Sequence, residues 1–503
     1  MSFSDPVFLF IFLPAVVLLA HVAGKISNRL VGLVLATASL AFYGLWQIDN
    51  LPLLLASLIV NFGTGQYLLR RPGRIILSLA IGANLASLGF YKYAGFAVQN
   101  LNALFELQTT FASPLLPLAI SFFTFQQIAY LVDCYRRSVD AHDFLDYILF
   151  VTFFPHLVAG PLVQPRDMLH QWRSSDLRPR FANLVVGLTI LTIGLFKKLV
   201  LADSVAPFVD AIFSKSATPA TVSTFEALTG ALGFTWQIYF DFSGYTDMAI
   251  GMALLFGVRL PINFASPYKA TSIIEFWQRW HITLSRFLRD YLYYPLGGNR
   301  RGAFRHAANI MIVMLLGGLW HGPAWTFVAW GGIHGCAIVI NHLWRKVSAD
   351  WRGRESAWFY AVSGILTFSV VVVSWIFFRA PNWTAAQNLL SVLFGLSGTI
   401  LPTGPFPSGL SAIRVALGDT FYSHEVDLAL LMIGAIIVFL LPNTQEIVSG
   451  ADIGQSARER NRTVGMKWSL PPGLGVLTGA FLFVSIAISL QTTTRPLFIY
   501  FQF

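Results

Sequence analysis

The sequence predicts an all-α, polytopic membrane protein. Its 503 residues are 55% hydrophobic and only 12% charged, whereas soluble domains carry about 25% charged residues. The mean hydropathy is +0.63, and the apolar residues gather in runs long enough for a helix to cross a bilayer. Since such a helix needs about 20 residues, we expect one integral-membrane domain over residues 1–503, with roughly 11–12 crossing helices.

The apolar runs follow one another along the whole chain. The first lacks a preceding basic region and a clear small-residue cleavage site, so we interpret it as a crossing helix and not as a signal peptide. The predicted spans are Asp5–Gly24, Leu30–Trp46, Leu51–Leu69, Ile75–Tyr93, Leu115–Val132, Ala182–Ala202, Thr224–Gly257, a pair within Ala307–Leu343, Ala357–Phe378, Val426–Leu441 and Gly473–Leu490.

Basic residues cluster in alternate loops. They follow the first, third and fifth spans and fill the segments Arg259–Arg305 and Arg458–Lys467, whereas Gln99–Pro114 and Ser204–Ser223 hold almost none. By the positive-inside rule the basic loops are cytoplasmic, which places the N-terminus and the C-terminus outside. The net charge of +10 therefore reflects topology and predicts no nucleic-acid partner.

Two segments do not fit simple alternation. Phe144–Leu162 is apolar but short, interrupted by proline and flanked by basic residues on both sides, so we expect it to be re-entrant. Ser272–Tyr294 carries apolar residues at helical spacing on one face and charges on the other, which predicts an amphipathic cytoplasmic helix on the membrane surface. His281 lies at the edge of its apolar face.

His321 is the strongest candidate for chemistry. It lies in a run, Ala307–Leu343, that contains no Lys, Arg, Asp or Glu, and an ionisable side chain at membrane depth is a functional candidate by default. Gly318, Gly322 and Pro323 predict a broken helix beside it, which membrane proteins tolerate where the break is buried or lines a cavity. The alternative is a hydrogen-bonded structural histidine, since buried polar groups are usually satisfied locally.

Other buried polar groups have a structural explanation. Asp241 and Asp247 lie within one predicted span, and buried charges need partners; Lys197 and Lys198 in the neighbouring span could supply them. The two cysteines are far apart and predict no disulfide framework. The chain contains no phosphate loop, dinucleotide-binding glycine motif, HExxH, CxxC or GxSxG sequence, and we expect no metal site.

A buried histidine together with a second one on the cytoplasmic side favours acyl transfer. Neutral imidazole can take a proton from an acceptor hydroxyl while that hydroxyl attacks a thioester, and general-base catalysis of this kind contributes roughly 10²–10⁴-fold. An unperturbed histidine, with a pKa near 6.5, is largely neutral at pH 7.

Several stretches together resemble the membrane-bound O-acyltransferase (MBOAT) family, and most of all its bacterial branch that takes part in alginate O-acetylation. They are FFPHLVAGPLVQP, YFDFSGYTDMAIG, FWQRWHITLSRFLRDYLYYPLGGNRRG, GGLWHGPAWTFVAWGGIHG and the terminal FIYFQF. The resemblance covers nearly the whole chain. It implies a ring of tilted helices around a tunnel, with His321 as the catalytic histidine and His281 as the second characteristic polar residue.

The resemblance also implies a reaction. The chain would take an acetyl group from a cytoplasmic thioester, acetyl-CoA or a related acyl donor, and pass it across the bacterial inner membrane for O-acetylation of an exported polysaccharide. A periplasmic partner with its own serine nucleophile would finish the transfer, and no cofactor would stay bound. Substrate-binding candidates are Trp320, Asp241, Asn299, Arg300 and Arg301.

Several alternatives stay open. Arg300 and Arg301 suit the anionic phosphates of CoA, but they are also ordinary positive-inside residues. The acceptor could be a lipid, a small molecule or a D-alanyl acceptor. A transporter or channel would also contain broken helices and buried acids, although the sequence shows no inverted repeat.

Overall fold

The computed structural model describes residues 2–139, 142–158, 160–174, 177–216, 222–348, 356–396, 425–448 and 472–491. Every regular element in these ranges is helical, which confirms the predicted all-α class. The basic segment Arg458–Lys467 and the C-terminal Phe503 lie outside the described residues.

The helices follow one another with short connections. Several are extended by π-helical turns, at Phe8–Phe12, Gly89–Tyr93, Lys197–Ala202 and Arg289–Tyr293. In chain order the helices are α1 (Leu13–Gly24), α2 (Asn28–Gln47), α3 (Leu51–Arg70), α4 (Arg74–Leu88), α5 (Ala94–Phe105), α6 (Ile120–Tyr135), α7 (Phe144–Thr152), α8 (Phe154–Leu157), α9 (Pro165–Ser174), α10 (Phe181–Phe196), α11 (Asp203–Lys215), α12 (Thr224–Leu255), α13 (Ile273–Arg279), α14 (Ile282–Leu288), α15 (Gly302–His321), α16 (Trp325–Val347), α17 (Ala357–Arg379), α18 (Trp383–Leu393), α19 (Glu425–Leu440), α20 (Thr444–Ile447) and α21 (Pro472–Gln491).

Six continuous helical segments of the described chain are long and apolar enough to cross a membrane. Three shorter apolar helices, Phe8–Gly24, Asp427–Leu440 and Thr478–Ile488, accompany them. The longest of the six joins two predicted spans through a single 3₁₀ turn, so the number of crossings stays a prediction. The six are Asn28–Arg70, Arg74–Phe105, Phe181–Lys215, Gly302–His321, Trp325–Val347 and Ala357–Arg379.

Helix α12 runs through the interior of the protein. It is 32 residues long and begins with a capping box between Ser223 and Glu226; almost every residue after its first turn is buried. It packs against α10 at glycines: a Cβ built on Gly251 would overlap the carbonyl oxygen of Gly187. Close backbone contact of this kind is how small residues stabilise helix pairs in membranes.

Two ion pairs link α12 to the π-helical turn that follows α10. Lys197 Nζ lies 2.7 Å from Asp247 Oδ2, and Lys198 Nζ lies 2.8 Å from Asp241 Oδ1. Lys198 also contacts Asp203 at 2.7 Å. The expected partners of the two buried aspartates are therefore confirmed, and both carboxylates are compensated as buried charges must be.

The segment Phe144–Leu162 forms only short helices. α7 has 9 residues and α8 has 4, so α7 is about 14 Å long at 1.5 Å per residue, roughly half of the ~30 Å apolar core of a bilayer. The chain turns at Phe153, whose ψ of 112° is not helical. A pair of helices this short is what a re-entrant segment requires.

The predicted amphipathic helix over Ser272–Tyr294 differs from the structure in two ways. It is interrupted between α13 and α14 by the left-handed residue His281, with φ 41° and ψ 53°. Its apolar face is also covered by protein: Trp280 and Leu284 are buried in the core. Periodicity alone did not reveal this, because a buried face and a membrane-facing face have the same spacing of apolar residues.

Candidate active site

His321 is the last residue of α15. The chain leaves the helix at Gly322, whose φ of −164° is extended, and re-enters a helix at Trp325. This confirms the predicted break. The helices on its two sides are in close contact, since a Cβ built on Gly318 would overlap the carbonyl oxygen of Phe327. The break thus puts an imidazole at the end of a membrane helix while the backbone folds back directly.

Aromatic rings surround His321. Its ring centroid is 4.9 Å from that of Trp320, 5.1 Å from that of Trp330 and 5.1 Å from that of Phe378. The side chain is 5% exposed. A histidine in such surroundings meets a low local dielectric, which strengthens every polar interaction that it makes.

Two side chains from the N-terminal half cap the end of α15. Lys92 Nζ donates to the carbonyl oxygens of Trp320 at 2.7 Å and His321 at 3.2 Å, and Tyr93 Oη donates to that of Leu319 at 2.9 Å. A helix leaves its last carbonyls without intrahelical partners, and a cation at this end also interacts favourably with the helix dipole.

Lys92 was missed by the sequence analysis. It lies in the π-helical turn Gly89–Tyr93, within a predicted span, and interacts electrostatically with His321. The signal was available: a single lysine in an apolar span meets the same criterion of an ionisable group at membrane depth that singled out His321.

His281 lies at the break between α13 and α14, outside the membrane-spanning helices. It is 1% exposed, and burial lowers its pKa to about 3, so the ring is neutral at physiological pH. Its Nδ1 is 3.1 Å from Asn263 Oδ1. Within the described residues, its Nε2 has no hydrogen-bond partner.

Trp320 brings the two histidines into one site. Its ring centroid lies 6.4 Å from that of His281 and 4.9 Å from that of His321. The Phe125 ring also stacks against the Trp320 ring, with their centroids 5.3 Å apart. Three of the residues predicted from the sequence, His321, His281 and Trp320, are therefore in one aromatic cluster.

The other candidates lie elsewhere. Asp241 pairs with Lys198. Its neighbour in α12, Phe242, contacts His281, with ring centroids 4.7 Å apart. Because successive residues of a helix point about 100° apart, Asp241 points in a different direction from Phe242. Arg300 and Arg301 are exposed in the turn before α15. Because α15 has 20 residues and His321 is at its other end, the helix separates the two arginines from His321 by about 30 Å. Asn299 lies in the same exposed turn. Their roles in substrate binding stay predictions.

His334 is a buried histidine of the structural kind. The Trp277 indole N–H donates to its Nδ1 at 3.2 Å, and its Nε2 lies 2.9 Å from Ser374 Oγ. Because indole is only a donor, Nδ1 must accept and Nε2 must carry the proton. Both nitrogens are satisfied. Within the described ranges, no three His, Cys, Asp or Glu side chains gather as they would around a metal ion.

The fold and this cluster define an integral-membrane protein with a histidine-centred site in its interior. The sequence model described as "MBOAT, membrane-bound O-acyltransferase family" matches residues 98–378, a range that contains both histidines. The chain belongs to this family and is a membrane O-acyltransferase.

Curated relatives extend the similarity beyond the family match. The chain is 35% identical to the probable alginate O-acetylase AlgI of Pseudomonas putida over the whole of both proteins. It is 39% identical to the peptidoglycan O-acetyltransferase of Helicobacter pylori over 79% of this chain and 81% of that protein. The teichoic acid D-alanyltransferase of Streptococcus thermophilus is 26% identical over 52% of this chain and 68% of its own length.

Proposed function

We propose that this chain moves an acetyl group from acetyl-CoA, a cytoplasmic thioester, to the outer side of the membrane for O-acetylation of an exported polysaccharide. The observation that carries the proposal is the pair of buried histidines on Trp320, one ending a membrane helix and one in a segment expected to be cytoplasmic. A site that contains both histidines can receive the donor from one side of the membrane and the acceptor from the other.

In this proposal His321 is the general base. Its neutral imidazole takes the proton of an acceptor hydroxyl while the hydroxyl oxygen attacks the acetyl carbonyl carbon. The tetrahedral intermediate then collapses, the C–S bond breaks, and the thiolate leaves with the proton returned by the imidazolium. The products are an O-acetyl ester and a free thiol, and no other reactant is needed.

The relatives support an acetyl group and a polysaccharide. Proteins named for O-acetylation of alginate or peptidoglycan are 35% and 39% identical to this chain over most of its length, whereas the D-alanyltransferase match covers 52% of it. A D-alanyl, lipid or small-molecule acceptor is the weaker alternative. Membership of an acyltransferase family argues against the alternative of a transporter or channel.

We further propose that the protein resides in the bacterial inner membrane, with its N-terminus and C-terminus outside, and works with a periplasmic partner that holds its own serine nucleophile. The basic turn containing Arg300 supports a cytoplasmic position, and the segment around Thr110, almost free of Lys and Arg, supports an external one. In a background without Cys134 and Cys336, cysteines at Arg300 and Thr110 should be labelled from opposite sides. Labelling of both from one side would contradict this topology.

The reaction itself is tested in proteoliposomes with acetyl-labelled CoA. We expect thiol release and appearance of labelled acetate or acetyl ester, both lost in His321→Gln. A D-alanyl thioester offered in parallel tests the rival donor. Cleavage of the D-alanyl thioester without cleavage of acetyl-CoA would contradict the acetyl assignment, and equal rates in wild type and His321→Gln would contradict the assigned base.

A further inference from the structure

We propose that Asn263 is a positioning residue that holds the imidazole proton of His281 on Nδ1 and so leaves Nε2 as a hydrogen-bond acceptor facing the substrate. The inference rests on the proposed function only in that His281 contacts substrate. It makes His281 an acceptor in the resting enzyme and excludes it as a donor to the thioester carbonyl.

The orientation of the Asn263 amide is fixed by its neighbours. The backbone N–H of Thr283 points at Oδ1 from 3.2 Å, and a backbone N–H can only donate. The atom facing it must therefore be the amide oxygen. On the other side, Nδ2 faces Thr246 Oγ1 at 3.5 Å. A flipped amide would oppose the Thr283 N–H with an NH₂ group.

The Thr283 hydroxyl supports the same orientation. Its Oγ1 accepts from the backbone N–H of Leu162 at 2.9 Å and lies 2.9 Å from Asn263 Oδ1. Because the Leu162 N–H occupies one lone pair of the Thr283 hydroxyl, the hydroxyl hydrogen of Thr283 can be donated to Asn263 Oδ1. This chain of hydrogen bonds joins Leu162, at the end of the segment that we expect to be re-entrant, to the turn that carries His281.

The position of the His281 proton follows from this. Nδ1 lies 3.1 Å from an oxygen that can only accept, so Nδ1 must donate. Since the ring is neutral, Nε2 then holds a lone pair. That atom is buried and has no partner within the described residues, although buried polar groups are nearly always paired. A substrate donor, such as an amide N–H of the thioester arm or an acceptor hydroxyl, fits this position.

Asn263 also holds the backbone of the turn. The N–H of Ile282 donates to the Asn263 carbonyl at 3.0 Å, so the backbone and the side chain of Asn263 together hold the chain directly after the left-handed residue His281, at φ 41°. A non-glycine residue keeps such a conformation only where its surroundings determine it. His334 shows the contrast, because its tautomer is the opposite one and both of its nitrogens are paired.

Solid-state ¹⁵N NMR of histidine-labelled protein in lipid bilayers measures the tautomer without substrate. We expect a pyrrole-like Nδ1 and a pyridine-like Nε2 for His281, assigned by their loss in His281→Gln. A pyrrole-like Nε2 would overturn the proposal. Asn263→Ala should mix the two tautomers and lower kcat, by no more than the roughly tenfold loss expected when the whole His281 side chain is removed, with little change in the KM for acetyl-CoA.

Asn263→Asp keeps an acceptor oxygen and should retain the wild-type tautomer, with kcat close to the wild-type value and above that of Asn263→Ala. Ser374→Ala is the matched control: it removes a buried hydrogen bond to the imidazole of His334 and should leave the rate unchanged.

A wild-type rate in Asn263→Ala would overturn the proposed positioning role of Asn263. If Asn263→Ala does not fold, the wild-type spectrum and Asn263→Asp decide. Absence of acetyl transfer in the wild type would contradict only the proposed function, because the tautomer is measured independently.

Discussion

The two histidines of this site reach it by different physical means. His321 ends a membrane helix and is held by groups far away in sequence: Lys92, 229 residues earlier, donates to its carbonyl oxygen. His281 lies in a left-handed turn between two short helices, and its partner Asn263 is only 18 residues away.

The difference shows how each side chain is controlled. At His321 the backbone is capped and the ring is surrounded by aromatic groups, so the position of the helix end sets the position of the imidazole. At His281 the side-chain amide of Asn263 fixes both the orientation of the imidazole ring and the nitrogen that carries its proton. The first arrangement depends on how the helices pack, whereas the second depends on a local hydrogen-bond network. Four perturbations separate the two arrangements.

The largest effect is expected at His321. His321→Ala and His321→Gln should each lower acetyl transfer by roughly 10²–10⁴-fold, since an amide can replace a hydrogen bond but cannot take up a proton at neutral pH. Transfer is measured with acetyl-labelled CoA, and size-exclusion chromatography confirms folding. A folded His321→Gln protein with near wild-type activity would make His281 the leading base.

A smaller loss is expected at His281. His281→Ala removes an acceptor that orients the substrate. We expect the rate of acetyl transfer to fall about tenfold, which corresponds to a loss of roughly 1.4 kcal/mol of interaction free energy. Single-turnover rates separate orientation from donor affinity. A decrease as large as that of His321→Ala would show that the two histidines act as one catalytic unit.

Lys92→Met tests the capping of α15. The variant leaves the carbonyl oxygens of Trp320 and His321 without their cation, and hydrogen bonds to charged groups contribute about 1.5–3 kcal/mol. We expect a fall in kcat of up to about tenfold. Lys215→Met is the control, because Lys215 is a half-exposed lysine in a 3.5 Å ion pair with Glu226. Equal activity in both variants would restrict Lys92 to a role in insertion.

The smallest effect is expected at the far end of α15. Arg300→Ala combined with Arg301→Ala should raise the KM for acetyl-CoA a few-fold and weaken its dependence on salt, because exposed charges act within a Debye length of about 8 Å at physiological ionic strength. Titration of KM against salt concentration gives the result. An unchanged KM would assign both arginines to topology alone.

The sequence by itself determined the class of the protein and singled out His321 as the candidate catalytic group. Hydropathy is a property of each segment alone, so the helices around α15 and α16 could be predicted without knowing their neighbours. Gly318, Gly322 and Pro323 encoded the break at His321 in the same local way. Charge in the loops gave an orientation, which stays a prediction.

Only the tertiary structure decided which polar groups meet. Lys92 reaches α15 across 228 and 229 positions of sequence, and no local pattern reports such a contact. Asn263 lies in an irregular segment whose composition does not distinguish a solvated amide from one that accepts three hydrogen bonds. The reason is physical: hydrophobic burial is largely additive over a segment, whereas a buried hydrogen bond requires two particular atoms within about 3 Å of each other, and only the packed chain fixes that distance.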